Sequence, residues 1–452
     1  MFVQNPGPEG PAPGTTGRYL VLMREDAVQA GVNALSQSVG VSVASTADFD
    51  EGISGGDQLA QAEAVVFDKL AVAVVDVPPD QTQALGVAAA EEDAILAVEP
   101  ERVVYALQDD LSGSLGLPAP PGYPGPTSGL PVEYLRGYQA AVNHLVGNVL
   151  ADGGLPGEAA EQAVAVALNE STDTWGLQAT KVTASRFSGK GTKVAVLDTG
   201  LDLGHPDFAG RSITSRSFVP NQEVQDRHGH GTHCIGTSCG PKQPGRLPRY
   251  GVAYDAEIFA GKVLGNEGSG SDQGILAGMN WAITNGCQVI SMSLGAATVP
   301  GQGFSFIFER VARRALDRGT LIVAASGNES SRPTRISPVG HPANCPSIMS
   351  VAALDEQFRV ARFSNGGINP QGGQVDLAGP GVNVHSSVPR PQLYGRKNGT
   401  SMATPHVAGI AALHAEANPE VHGRALWALL TQSARRLMLP SRDVGIGLVQ
   451  AP

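Results

Sequence analysis

From about residue 172 onward, short apolar β-rich runs alternate with helical stretches, and this alternation constrains the fold more than any other feature of the chain. Strand-like runs at 193–197, 257–263, 288–293, 321–325 and 346–353 are interleaved with helical spacing that starts at His230 and covers 272–285 and 307–317. A βαβα order of this kind predicts an α/β fold, a doubly wound and mainly parallel sheet with helices on both faces. In such sheets the functional groups gather at the C-terminal ends of the strands.

The 452 residues are too many for one ordinary domain, and the segments before 171 read differently. Residues 1–17 are rich in Pro and Gly and read as a flexible tail. Residues 18–107 read as a small α/β domain. It has a strand at 18–23, a helix over 26–39, one or two strands in 65–77, a helix over 80–90 and a final strand pair in 94–107. Residues 108–170 form a linker, with Pro118, Pro120, Pro121, Pro124 and Pro126 followed by two short amphipathic helices at 133–150 and 158–168. Residues 171–452 are the large α/β domain.

Charge divides along the same line. Residues 1–170 hold 23 acidic and 5 basic side chains, and the remainder holds 19 acidic and 26 basic ones. Opposite fields favour docking of the two parts. The bases are dispersed, with no basic run, so nucleic acid is not an expected partner. No window approaches the ~20 apolar residues of a membrane span, so no membrane is expected either. Cys234, Cys239, Cys287 and Cys345 show no zinc-type pairing. The opening MFVQNPGPEG has neither a basic nor an apolar leader segment. Taken literally this places the protein in the cytoplasm; it is secreted if an export signal has been removed. The chain is expected to act as a monomer.

Three segments carry chemistry. In Val194–Gly200 an apolar strand ends in Asp198 and a turn glycine, which puts a carboxylate at the sheet edge or caps a turn. In His228–His233 a histidine beside glycines opens a helix; alone it fits a metal site or an ordinary surface histidine. In Asn398–His406, Ser401 stands among small residues at a helix start, where an N-cap serine is common and backbone N–H groups can polarise a reacting group. Taken together they supply a nucleophile, a base and a carboxylate to orient the base. The chain order Asp, His, Ser is that of subtilisin rather than of chymotrypsin or the α/β-hydrolases.

The stretches KVAVLDTG, HGHGTHCIGT, GVAYDAEIFAGKVL, GSGS, VISMSLG, ASGNES and NGTSMATPHVAG resemble the subtilisin (subtilase, S8) family over about 175–450, and within it the proteinase K-like branch. The resemblance implies a serine endopeptidase acting on protein or peptide substrates. Asp198 would orient His230, His230 would be the general base, Ser401 the nucleophile and Asn328 the oxyanion donor beside the Ser401 N–H. It implies substrate-binding strands at Ser293, Leu294 and Gly295 and at Gly268, Ser269 and Gly270. It also implies an S1 pocket walled by Ala325, Ser326 and Gly327 and floored by Gly340. Such a pocket suits an apolar P1 side chain, with Glu329 at its rim. Residues 18–107 resemble the family's inhibitory propeptide of inhibitor-I9 type, a ferredoxin-like α+β domain. The chain's own prodomain would then be an intramolecular inhibitor, removed by self-processing of the zymogen.

Two departures stand out. The loop at 241–250, PKQPGRLPRY, supplies calcium ligands in many subtilisins but here has no Asp or Asn. Calcium needs oxygen ligands, so none is expected at that loop, although Asp207 matches a family ligand position; the chemistry itself requires no cofactor. Cys234 follows the HGTH segment and reads as a small buried apolar residue rather than a reactive thiol. The competing functions are a peptide ligase or macrocyclase on the same fold, with 108–170 as the element that excludes water, and a non-catalytic binding protein.

Overall fold

The computed structural model describes residues 14–46, 55–77, 85–87, 93–107 and 169–452. The helices expected at 133–150 and 158–168 lie outside the described residues, as does most of the one expected at 80–90, of which 85–87 are helical.

The N-terminal module runs β1 (Thr15–Met23), α1 (Val28–Val39), β2 (Val43–Ser45), α2 (Gly56–Gln61), β3 (Ala64–Phe67), β4 (Val72–Val75) and β5 (Ile95–Ala106). The strands pair in the order β5-β1-β4-β3-β2. α1 stops where Gly40 turns left-handed at φ 69°, a backbone that costs glycine nothing. β1 begins at Thr15, inside the stretch read as tail. β5 is one strand of 12 residues where the sequence suggests a pair. Pro100, which has no N–H to donate, sits opposite Tyr19, and the register slips between Tyr19 and Thr15, so the irregularity bends the strand instead of ending it.

The C-terminal module follows as α3 (Trp175–Ala179), β6 (Lys193–Asp198), β7 (Ile213–Ser217), α4 (His230–Cys239), β8 (Glu257–Lys262), β9 (Ser269–Ser271), α5 (Asp272–Thr284), β10 (Val289–Met292), β11 (Leu294–Gly295), α6 (Phe306–Asp317), β12 (Leu321–Ala325), β13 (Met349–Leu354), β14 (Leu377–Pro380), β15 (Val384–Ser387), β16 (Tyr394–Lys397), α7 (Thr400–Ala417), α8 (Gly423–Ser433) and α9 (Ser441–Val444). Seven strands form the expected parallel sheet in the order β14-β13-β12-β10-β6-β8-β7. β10, β12, β13 and β14 bury every residue, as a parallel sheet covered on both faces must.

Period-2 alternation explains how the modules meet. Val21, Met23, Val66, Ala73 and Val75 face α1 through Leu35 and Val39. Leu20, Leu22, Val65, Phe67, Val72 and Val74 face the other way, into one apolar cluster with Ile275 and Met279 of α5 and Ile307 and Val311 of α6. The polar contacts around it match the charge asymmetry. Glu99 accepts from Ser305 Oγ (2.6 Å) and the Phe306 N–H (2.7 Å) at the start of α6. Glu101 accepts from the Gln273 N–H (2.8 Å) in the first turn of α5. Two acidic side chains thus meet the positive ends of two helix dipoles. Arg314 and Arg318 of α6 pair with Glu25, at 2.5 and 3.6 Å.

Candidate active site

β6 ends at Asp198 and α4 begins at His230, so the sheet edge and a helix N-terminus bring the two together. Asp198 Oδ1 accepts from His230 Nδ1 (2.7 Å) and from the Thr199 N–H (2.7 Å), and both side chains are fully buried. Burial works to raise the Asp198 pKa. The adjacent imidazole and the Thr199 N–H outweigh it, and the carboxyl is held below the ordinary Asp value. The Nδ1–H therefore points at the carboxylate, and His230 Nε2 is left as a buried acceptor with no partner among the described residues.

Ser401 lies in the first turn of α7, and Pro405 stands four residues on, inside the helix. Proline has no N–H, so the Ser401 carbonyl loses its helical partner. It accepts instead from Ser293 Oγ (2.8 Å) and the Cys234 thiol (3.5 Å). Ser401 is thereby tied to the strand end at Ser293 and to α4. Its own hydroxyl donates to Ser293 O at 3.0 Å and is not paired with His230 in this conformer. Cys234 is fully buried, and burial pushes its thiol well up, which fits the small-apolar reading.

Asn328 follows β12. Its Oδ1 accepts from the Thr400 N–H (3.0 Å) and Thr400 Oγ1 (2.9 Å), while its Nδ2 is buried and without a partner among the described residues. The amide is fixed through its oxygen and offers its N–H groups beside Ser401. Gly327, at φ 111°, makes the turn; a Cβ there would strike Asn365 and Glu329. Glu329, expected at the rim, accepts through its carboxylate from Asn365 Nδ2.

The two expected substrate strands face each other across the end of β5. Val103, Val104 and Tyr105 pair antiparallel with Ser271, Gly270 and Ser269 of β9. Tyr105 and Ala106 pair antiparallel with Gly295 and Leu294 of β11. The Ala106 N–H donates to Gly268 O (2.8 Å) and the Leu107 N–H to Ser293 O (3.3 Å). A Cβ on Gly295 would crowd both His341 O and Leu107 Cδ1, so glycine is what lets Leu107 in. The Gly340 N–H donates to Ser326 O (2.9 Å), which holds Gly340 against the strand end at Ala325.

A family model described as the subtilase family matches residues 189–447, more than half of the chain. The chain belongs to the subtilase family. M-protease of Shouchella clausii (strain KSM-K16) is 41% identical over 249 residues, 54% of this chain and 60% of that protein. Subtilisin Savinase of Lederbergia lenta is 41% identical over the same length and is covered to 85%. Subtilisin E of Bacillus subtilis (strain 168) is 40% identical over 235 residues and covered to 58%. The matches thus span about three fifths of M-protease and subtilisin E. Among solved structures, sphericase superposes with a TM-score of 0.54 at 30% identity, covering 62% of this chain and 98% of that one.

In this subtilase Asp207, the residue expected to match a family ligand position, accepts from three donor groups. Gly245 N–H (2.8 Å) and Tyr394 OH (3.1 Å) reach Oδ1, and Tyr250 OH (2.6 Å) and Tyr394 OH (3.1 Å) reach Oδ2. Burial, then Asp207, pushes the Tyr394 hydroxyl up to about 12, so it stays a donor. Both carboxylate oxygens of Asp207 therefore face hydrogen-bond donors.

Sequence reasoning missed Thr400, which aims Asn328. The resemblance implied that the tail of 18–107 lies in the substrate cleft, but it did not place the processing site.

Proposed function

We propose that this subtilase is a serine endopeptidase made as a self-inhibited zymogen, and that it cuts its own chain between Leu107 and Gln108. The carrying observation is the seating of 103–107 between β9 and β11, the antiparallel three-strand arrangement a peptide takes when it is about to be cut. With Leu107 N–H on Ser293 O, Leu107 is the P1 residue and its side chain fills the apolar S1 pocket.

The chemistry follows from the orphaned atoms. Ser401 Oγ turns from Ser293 O to His230 Nε2, gives it the proton and bonds to the Leu107 carbonyl carbon. Asp198 holds His230 in the Nδ1–H tautomer and offsets the charge of the imidazolium. Asn328 Nδ2 and the Ser401 N–H receive the oxyanion. The Leu107–Gln108 C–N bond then breaks as His230 passes its proton to the Gln108 amine, and water, deprotonated by His230, releases Leu107 as a carboxylate. Residues 18–107 remain as a docked inhibitor because their contacts with α5 and α6 do not depend on the cut bond. Their strand–helix pattern supports an inhibitor-I9-type propeptide, and Cys234 after HGTH supports the proteinase K-like branch. The preferred substrates are proteins and peptides with an apolar P1 residue.

Intact-mass spectrometry on the full chain over time tests this reading. The expected products meet at Leu107–Gln108. A chain that never shortens and cleaves no added peptide would sink it.

We also propose that the tyrosine clamp on Asp207 does the structural work that calcium does in relatives. Asp207→Ala then costs about 2–3 kcal/mol, measured as the same drop in Tm in millimolar calcium and in excess chelator. A drop present only with calcium would return the ion to the site.

A further inference from the structure

β9 stops at Ser271, and the pairing of the chain in the cleft does not stop with it. The next acceptor is a side chain. Asp272 Oδ2 takes the Arg102 N–H at 3.0 Å, and Arg102 Nη1 approaches the same oxygen at 3.4 Å. Asp272 Oδ1 takes the Nε2–H of His341 at 3.0 Å. His341 is itself buried, its Nδ1 has no partner among the described residues, and its ring stands edge-on to Phe308 at 4.6 Å between centroids. The carboxylate has no exposed surface. It is fixed from behind by His341 and turned by the first turn of α5 toward the strand in the cleft. Burial opposes its charge, but His341 and then Arg102 hold the carboxyl below the ordinary value.

Both donors on Oδ2 come from Arg102. Among the described residues the one other carboxylate paired with that guanidinium is Glu99, at 3.1 Å and on the same strand. With Leu107 as P1, Arg102 is P6. When the N-terminal module leaves, Oδ2 loses both donors, and a peptide entering by the same route can supply them again.

Resting on the protease reading, we propose that Asp272, positioned by His341, is a distal specificity site that takes the backbone N–H and a cationic side chain of the sixth residue before the scissile bond. The substrate class is a protein segment with Arg, or less favourably Lys, five residues ahead of an apolar P1. Arg is preferred because its planar fork donates several N–H groups from a weakly hydrated cation. Glu at that position would set two carboxylates against each other in a dry site.

The test uses the enzyme that forms once the full chain has processed itself and the cut residues 18–107 have been separated from it. The probes are N-acetylated, internally quenched peptides of its own sequence 102–109, Arg-Val-Val-Tyr-Ala-Leu-Gln-Asp, with the first residue varied to Lys, Ala and Glu. The expected order of kcat/KM is Arg, Lys, Ala, Glu, with Arg over Glu by about tenfold or more. Asp272→Asn should bring the Arg-to-Glu ratio to within about twofold of one, a readout that loss of stability alone would not change. Equal cleavage of the four peptides by the wild type overturns the proposal and leaves the protease reading intact, whether or not the variant folds. Cleavage of none overturns both.

Discussion

Full-length Ser401→Ala stays at its full mass, and its hydrolysis of a Leu-P1 peptide falls by about five orders of magnitude or more. The effect should be this large because nothing else near His230 Nε2 among the described residues can replace the nucleophile. Cys234 Sγ is near the imidazole, but it is 3.8 Å from Nδ1, the nitrogen already committed to Asp198, and its thiol is held protonated by burial. The Ser293 hydroxyl donates to the Ser401 carbonyl and is also committed. Alanine keeps the backbone carbonyl that Ser293 and Cys234 hold, so α7 should start in the same place and the variant should fold. Intact mass over hours and a quenched-peptide assay read the two effects. A variant that still shortens at Leu107–Gln108 would mean that another protease makes the cut, or that Ser401 is not the nucleophile.

Asn328→Ala should lower kcat by about a hundredfold to a thousandfold, the size of one lost oxyanion donor, with little change in KM. The direction follows from the way the amide is held. Its oxygen is occupied twice by Thr400, so the rotamer is set and the Nδ2 hydrogens carry no partner in the resting chain. A donor kept unpaired in a buried site costs stability, and on the proposed mechanism the oxyanion is where that cost is recovered. Alanine also leaves Thr400 Oγ1 and N–H without their acceptor, so part of the loss would be positional. The split is visible in steady-state kinetics with the same peptide: a kcat effect marks transition-state stabilisation, and an equal rise in KM with kcat unchanged would contradict the role.

Much of the candidate site was legible in the sequence because its residues sit in short contiguous runs. Asp198 ends a strand, His230 begins a helix, Ser401 begins another, and each announces itself by glycines and small residues within a few positions. The parallel sheet was legible for the same reason: apolar runs at 193–197, 288–293 and 321–325 must be buried on both faces, and only one layer order does that. The local pattern misread β5. Pro100 marks a break in a strand read alone, yet the pairing with β1 carries the chain through it and on into the cleft.

The sequence by itself determined the fold class, and it pointed to the candidate triad and oxyanion residues and the candidate substrate strands, since each rests on residue type and spacing within one segment. Only the tertiary structure decided the rest, because it depends on pairs far apart in the chain. Thr400 holds Asn328 across 72 residues, Arg102 meets Asp272 across 170, and Leu107 reaches Ser293. The seating of Leu107 could not be read from its neighbours: an apolar residue after an alternating strand is unremarkable until β9 and β11 are seen on either side of it. Asp207 shows the same limit. Its residue type gave no sign that the hydroxyls of Tyr250 and Tyr394, 43 and 187 residues away, donate to its carboxylate.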